Sequence, residues 1–465
     1  MAKKSYDILW VMSEKMGGSI ISMASFFTYA FYLTPAEIGI VTIVLSISMG
    51  VGQIVATLFQ DPLVCAKKLN VNTVSSIFIG GVIIVFLISL ILIFLVFIIS
   101  GNSTFLELTL VSVLIIPILF MNGLYSALLR RRMKFKSLSQ RVLIGKLLGA
   151  TTGVVSVVYG FGAISMVAQA VLIEFFGFIL LVKIQKLGVI KTFDLIEFRN
   201  FIKLGISVAL RKLSWEGYIK GLPLVIGAYL GASAVGVFAF AWRIVDMPRT
   251  ALISGALSYA LPIFSNHKNK MDLTVDFTKF SKITMLIFGP IFTGLALVAE
   301  PLVITLFGDK WLDAIPIIKG LAIFTLISFI TMYIPTVLTA LLTPKTTLKA
   351  DVISSITSLL LCIMLIPYIG LFSVVITFVY RSLFNFPFTT REIHKRMGLS
   401  VLSQLRIHLS SLIALLCMSI VVTVFQHVFY FESIKMFYLS VTLGAITYML
   451  IIYLLEKKLI YNLLR

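Results

Sequence analysis

Between residues 211 and 249 the sequence sets seven ionisable side chains, Arg211, Lys212, Glu216, Lys220, Arg243, Asp246 and Arg249, among long apolar runs. Lys212, Glu216 and Lys220 recur at a spacing of four, which puts them on one face of a helix. Arginine offers a planar fork of donors and lysine a compact point charge, so a surplus of these bases suits an anionic group, above all a phosphate. The two acids have other chemistry open to them. Glu216 and Asp246 can pair with neighbouring bases and hold the segment together, or, as protonatable groups, couple a movement to a proton gradient. Arg211 and Lys212 lie near enough to a membrane face to extend their heads into water. Arg381 and Lys319 are further bases inside apolar runs, and Glu14 and Lys15 stand beside Gly17-Gly18 in the first run.

No catalytic constellation accompanies these charges. The four histidines, His267, His394, His408 and His427, show no ligand spacing, and the cysteines Cys65, Cys362 and Cys417 lie far apart, as free thiols do. Neither a metal nor another cofactor is expected. A phosphate-cradling loop of the Walker type is absent from the sequence, so ATP is not the expected direct energy source. The opening MAKKSYDILW carries no small-residue cleavage site, and no cleaved signal peptide is expected.

The elements that must position the charges follow from composition. Of 465 residues 59% are hydrophobic and 12% charged, about half the charged share of a soluble domain. The chain therefore reads as an all-α polytopic membrane protein, because the apolar runs are long and continuous where a barrel would alternate. Fourteen runs are long enough to cross: 12–33, 37–58, 73–99, 107–129, 142–160, 164–182, 204–230, 235–259, 283–307, 315–343, 351–368, 372–390, 407–427 and 434–455. The formal net charge of +20 from 39 Lys+Arg and 19 Asp+Glu would suggest nucleic acid in a soluble chain. Here it marks orientation. With both termini cytoplasmic, 28 bases fall on inner segments, the largest group between Arg130 and Arg141, and Lys310 alone on the seven short outer loops. The inner segments 183–203 and 264–282, with Phe193, Leu195, Ile196, Phe198 and Phe201 among charges, read as amphipathic helices at the membrane surface. No loop is long enough for a soluble domain, so function is expected between the helices.

An internal repeat organises the runs. Tyr32 to Ile40 aligns with Tyr229 to Val237, Gly162-Ala163-Ile164-Ser165 with Gly370-Leu371-Phe372-Ser373, and Ala127-Leu128-Leu129 with Ala340-Leu341-Leu342. The three matches keep their order, as the repeated halves of transporters do. They divide the chain into a six-helix lobe, 1–200, a second six-helix lobe, 201–398, and a terminal helix pair with its tail, 399–465. Gly221 and Pro223 are expected to bend the seventh run beside its charges.

Several stretches resemble a known family. Val225-Ile226-Gly227-Ala228-Tyr229-Leu230-Gly231 through Val235-Gly236-Val237-Phe238-Ala239-Phe240-Ala241-Trp242-Arg243 is similar to a signature of bacterial polysaccharide exporters, with Phe238 where tyrosine is usual. Leu306-Phe307-Gly308-Asp309-Lys310-Trp311, Leu33 to Gly39 and the basic turn Leu128 to Phe135 are similar to the same family. It comprises the Wzx-like O-antigen and capsule flippases and lipopolysaccharide-biosynthesis exporters of the multidrug/oligosaccharidyl-lipid/polysaccharide superfamily. The resemblance implies a MATE-like fold of two lobes around a cavity, in the bacterial inner membrane. It also implies alternating-access flipping of an undecaprenyl-diphosphate-linked oligosaccharide, with membrane lipids and a polysaccharide polymerase or export machinery as partners and no nucleic acid. On that reading Lys220, Arg243, Arg249, Arg211 and Arg381 form the anion-holding cavity, and Glu216, Asp246 and Glu14 are coupling or ion-pair acids. A cation-coupled multidrug antiporter of the same fold is the alternative, and a membrane glycosyltransferase or polymerase a more distant one.

Overall fold

A computed structural model gives the architecture. It describes the backbone of residues 2–66, 69–99, 103–185, 193–266, 270–341, 348–429 and 433–464. It also describes their side chains, apart from 2–9, 65, 99, 200, 204, 207–213, 258–259, 262, 266, 270, 348, 433 and 458–464. The described residues are helical and contain no strand. The chain runs α1 (Ala2–Tyr32), α2 (Pro35–Cys65), α3 (Val71–Ile99), α4 (Ser103–Val113), α5 (Ile115–Arg131), α6 (Phe135–Val158), α7 (Ile164–Ile184) and α8 (Leu195–Asn266). It continues through α9 (Lys270–Leu297), α10 (Ala299–Phe307), a 3-10 turn (Asp309–Ala314), α11 (Ile315–Phe329) and α12 (Ile334–Ala340). The last elements are α13 (Leu348–Ile369), α14 (Phe372–Met397), α15 (Val401–Arg406), α16 (Leu409–Val428) and α17 (Ser433–Leu464). Eleven segments among the described residues are long and apolar enough to cross a bilayer, one of them the 44-residue stretch Ser214–Leu257. This is a multi-pass membrane protein.

By internal packing the chain divides into two compact units, Met1–Ala239 and Phe240–Arg465. In the first unit α6 packs on α1 and α7, and α2 on α5. A Cβ at Gly145 or Gly149 of α6 would meet the backbone of Ile173 at 2.7 Å, so these small residues let α6 and α7 approach closely. In the second unit α13 packs on α14, α9 on α11, and the terminal helices α16 and α17 on each other and on α9. The Lys282 ammonium lies 2.6 Å from the Glu456 carboxylate, and Tyr448 donates to the Leu286 carbonyl at 2.8 Å, tying α17 to α9.

Two of the three repeat matches have a physical basis. The Thr34 hydroxyl accepts the Glu37 N–H at 3.3 Å while the Glu37 carboxylate accepts the Thr34 N–H at 2.8 Å, a capping box that starts α2. A Cβ at Gly39 would overlap the Ala232 carbonyl oxygen, and one at Gly236 the Pro35 carbonyl oxygen. The two aligned glycines thus each accommodate the other copy's turn. Gly162 and Gly370 both take positive φ, +61° and +56°, which glycine alone adopts without strain. Behind them Ser165 donates its N–H to the Gly162 carbonyl and Ser373 to the Gly370 carbonyl, each at 3.1 Å. The third match includes Leu342, which lies outside the described residues.

Three expectations are corrected. Gly221 and Pro223 do not break the seventh run: the non-helical pair of dihedrals in α8 is at Gly231 (φ 80°, ψ 178°). The described end of the 183–203 segment is not a helix lying free on the membrane. From Leu195 onward it is the start of α8, with Phe198 and Phe201 buried in a core shared with α2, α3 and α5. Phe198 stacks on Phe59 at 5.9 Å, although Leu195 and Ile196 face outward. Apolar side chains that find a groove in the protein gain more there than at the headgroup boundary. Likewise α8 extends to Asn266 and α9 begins at Lys270, burying Leu273 and Phe277, so the described part of 264–282 belongs to those helices.

Candidate functional site: a charged cavity between α2 and α8

In the first unit α2 and α8 enclose a cavity of about 250 Å³. Ser46, Gly50, Gln53 and Thr57 line it from α2, and their spacing of four, three and four keeps them on one helical face. Glu216, Gly217, Lys220, Gly221 and Leu224 line it from α8, again along one face. Glycine at 50 brings α2 close to the base of Lys220, since a Cβ there would sit 3.8 Å from the Lys220 Cβ. The helices meet more tightly lower down, where a Cβ at Gly205 would overlap the Leu58 carbonyl. Beside this contact Phe59, Phe120 and Phe198 pack into an apolar core. Residues bearing hydroxyl, amide, carboxylate and ammonium groups therefore border one pocket whose surface is mostly apolar, with Ile47, Val51, Ile54 and Leu224 among its walls. Such a set can hold a polar ligand carrying both hydroxyls and a negative charge. Among the described residues Glu216 has no ion-pair partner.

Of the other bases expected at the site, Arg243, Arg249 and Arg381 belong to the second unit. Arg249 donates from Nε and Nη2 to one Asp246 carboxylate oxygen, at 3.0 and 2.7 Å, and Thr250 donates to the other at 3.3 Å. The Arg249 guanidinium also lies 5.9 Å from the centre of the Trp242 ring, which stacks on Phe378 at 4.9 Å. Arg381 donates to the Ser355 hydroxyl at 3.2 Å, and Asn385, one turn further along α14, donates to Ser354 at 3.0 Å. Arg243 is half-buried on α8. The side chains of Arg211 and Lys212 lie outside the described residues. Lys319 lies 3.7 Å from Glu300, with both side chains largely exposed.

Glu14 accepts a hydrogen bond from Ser139 at 2.9 Å, joining α1 to α6 beside a cluster that sequence reasoning missed. There the Glu174 carboxylate of α7 takes hydrogen bonds from Arg141 at 3.0 Å and Asn122 at 2.6 Å. The Arg141 side chain is only 14% exposed, so it is not a cytoplasmic loop charge as its place after the basic turn suggested. Lys146, one turn further along α6, donates to the Gly18 carbonyl at 3.0 Å and to Ser22 at 3.1 Å. The missed signals were a lone acid in the apolar run 164–182 and, for Gln53, Ser46 and Thr57, a polar stripe with helical period in the second run.

The Gly308-Asp309-Lys310-Trp311 stretch packs into the protein. Its Trp311 is fully buried and stacks on Phe240 at 4.2 Å.

Comparison with known proteins places the chain. A family model described as "Polysaccharide biosynthesis protein" matches residues 30–316, more than half of the chain. The succinoglycan biosynthesis transport protein ExoT of Rhizobium meliloti (strain 1021) is 23% identical over 324 residues, 68% of this chain and 65% of that protein. The teichuronic acid biosynthesis protein TuaB of Bacillus subtilis (strain 168) is 35% identical over 103 residues, 22% of this chain and 21% of that one. The matched regions thus span just under two thirds of the first relative and about a fifth of the second. Among solved structures, lipid II flippase MurJ in an inward closed conformation superposes with a TM-score of 0.79 at 17% identity, covering 97% of this chain and 100% of that one. An inward-facing multidrug resistance MATE family transporter gives a TM-score of 0.55 at 15% identity, over 85% and 96% of the two chains. These likenesses show that the fold is MurJ- and MATE-like. The chain belongs to the polysaccharide biosynthesis protein family.

Proposed function

We propose that this family member flips a polyprenyl-diphosphate-linked oligosaccharide, a repeat unit of O-antigen, capsule or exopolysaccharide, across the bacterial inner membrane by alternating access. The observation that carries the reading is the α2–α8 cavity, which Lys220 and Glu216 line together with Ser46, Gln53 and Thr57. Lys220 binds diphosphate oxygens as a point charge, and the hydroxyl and amide groups replace water around the sugar. Arg211 in the first unit and Arg243, Arg249 and Arg381 in the second are further bases available to an anion. Arg249 becomes so by exchanging Asp246 for the ligand. Glu216, Asp246 and Glu14 are the acids that can take up a coupling proton.

The eleven candidate spans become fourteen when Ser214–Leu257 is counted twice across Gly231 and α1 and α14 are added. Fourteen crossings leave both termini on the cytoplasmic side, in keeping with the basic inner segments. Residues 1–200 and 201–398 are the lobes that move during the cycle, and 399–465 is the helix pair beside which the polyprenyl tail runs. A polymerase or export machinery receives the flipped unit. The protein is a transporter and carries out no bond chemistry. A cation-drug antiporter would favour acids in this cavity, whereas its charges are one acid and one base.

Purified protein in liposomes tests the reading. Labelled polyprenyl-diphosphate oligosaccharide should move between leaflets with its glycosidic and diphosphate bonds intact. Breakage of a sugar bond without transfer would contradict it.

A further inference from the structure

A second cavity, of about 440 Å³, lies in the second unit where α14 ends and α15 begins, lined by Phe386, Pro387, Thr390, Arg391, His394, Ser400 and Val401. We propose that it binds one anionic phospholipid, with the phosphate on Arg391 and His394 and an acyl chain on Phe386, Pro387 and Val401. Depth is the first argument. From Phe372 to Arg391 α14 rises about 29 Å at ~1.5 Å per residue, which matches a hydrocarbon layer of about 30 Å. Arg391 and His394 thus stand one turn apart in the headgroup layer, while Phe386 and Pro387 remain at acyl depth.

The second argument is charge. Glu392 is the one acid on the last turns of α14, and it faces Lys395 at 3.8 Å and Arg396 at 3.5 Å. No ion pair or side-chain hydrogen bond joins Arg391 or His394 to another described residue, and both are exposed at the rim of the cavity. A phosphodiester matches that rim. The third argument is the apolar surround. Val401, Leu402 and Leu405 of α15 are exposed, Leu402 at 67%, and Phe388 is exposed on α14. These side chains are at home against lipid, with Arg406 of the same short helix at the polar edge. The sharp change of direction that forms the cavity is built by Gly398 in the left-handed region (φ 76°), whose N–H closes on the His394 carbonyl at 2.8 Å, and by the Ser400 cap of α15.

The test uses the full chain, purified in a neutral detergent. Short-chain phosphatidylglycerol, short-chain phosphatidylcholine and inorganic phosphate are titrated in turn, and bound lipid is read by native mass spectrometry alongside thermal unfolding. Phosphatidylglycerol should be retained over phosphatidylcholine, and inorganic phosphate should not displace it. The double variant R391Q/H394Q should bind phosphatidylglycerol about fivefold more weakly or less. K134Q/K183Q removes exposed bases elsewhere, on the first unit, and should bind as the wild type does. Equal retention by R391Q/H394Q and wild type would overturn the site. So would an equal loss in K134Q/K183Q, which would mean general surface charge, or displacement by inorganic phosphate, which would mean an anion site without lipid.

Discussion

The two units use the same residue types differently. In the first, Glu216 and Lys220 border a cavity lined by hydroxyl and amide groups. In the second, Asp246 and Arg249 close on each other at 2.7 Å, and the Arg381 guanidinium is bonded to Ser355. Charge in an apolar bilayer is costly, so each site must satisfy it somehow. Asp246 and Arg249 of the second unit do so with each other, as Arg141 and Glu174 of the first unit do. Glu216 and Lys220 stand beside a space that a ligand can enter. Accessibility, more than the number of bases, separates a group open to a ligand from one that must first exchange its partner.

Substitutions can break that comparison. Lys220→Ala should lower polysaccharide export by about thirtyfold or more, the loss of one desolvated charge-assisted contact, while the protein still reaches the membrane in normal amount. Export measured in cells lacking the native copy, with membrane levels by immunoblot, checks this. The buried Arg141–Glu174 pair of the first unit should behave oppositely. Arg141→Ala strands the Glu174 carboxylate and should cost about 3 kcal/mol of stability, read as an unfolding transition in detergent. In the second unit, Asp246→Asn weakens a partly buried pair that retains its hydrogen-bonding geometry, and a loss of about 1 kcal/mol is expected. Its export should fall less than that of Lys220→Ala; an equal fall would make the Asp246 carboxylate as necessary to transport as the cavity lysine. Lys319→Ala, removing an exposed pair at 3.7 Å, should leave unfolding and export unchanged, because such pairs contribute little in water.

Much of the fold was legible because its signals are covalent in the sequence. Apolar runs gave the helices, and the aligned pairs Gly39/Gly236 and Gly162/Gly370 recur because the same turns demand glycine in both copies. The clustering of Glu216 and Lys220 on one face was legible for the same reason of helical period. What the sequence concealed depends on partners far along the chain. Gln53 looks like an ordinary polar residue until α8 is packed against α2. Arg141 looks like a loop base until α7 brings Glu174 to it at 3.0 Å. The bend expected at Gly221 and Pro223 failed because a helix tolerates both when its neighbours hold it; α8 turns only at Gly231, between the seventh and eighth runs as read, where φ is +80°.

The central claim is that the α2–α8 cavity carries the diphosphate of the substrate. Its most direct measurement is the initial rate at which labelled polyprenyl-diphosphate oligosaccharide crosses liposomes containing wild-type protein, the Lys220→Ala variant or the Asp246→Asn variant. Transfer is expected from the wild type, near-background transfer from Lys220→Ala and intermediate transfer from Asp246→Asn. Wild-type rates in the Lys220→Ala liposomes would contradict the claim.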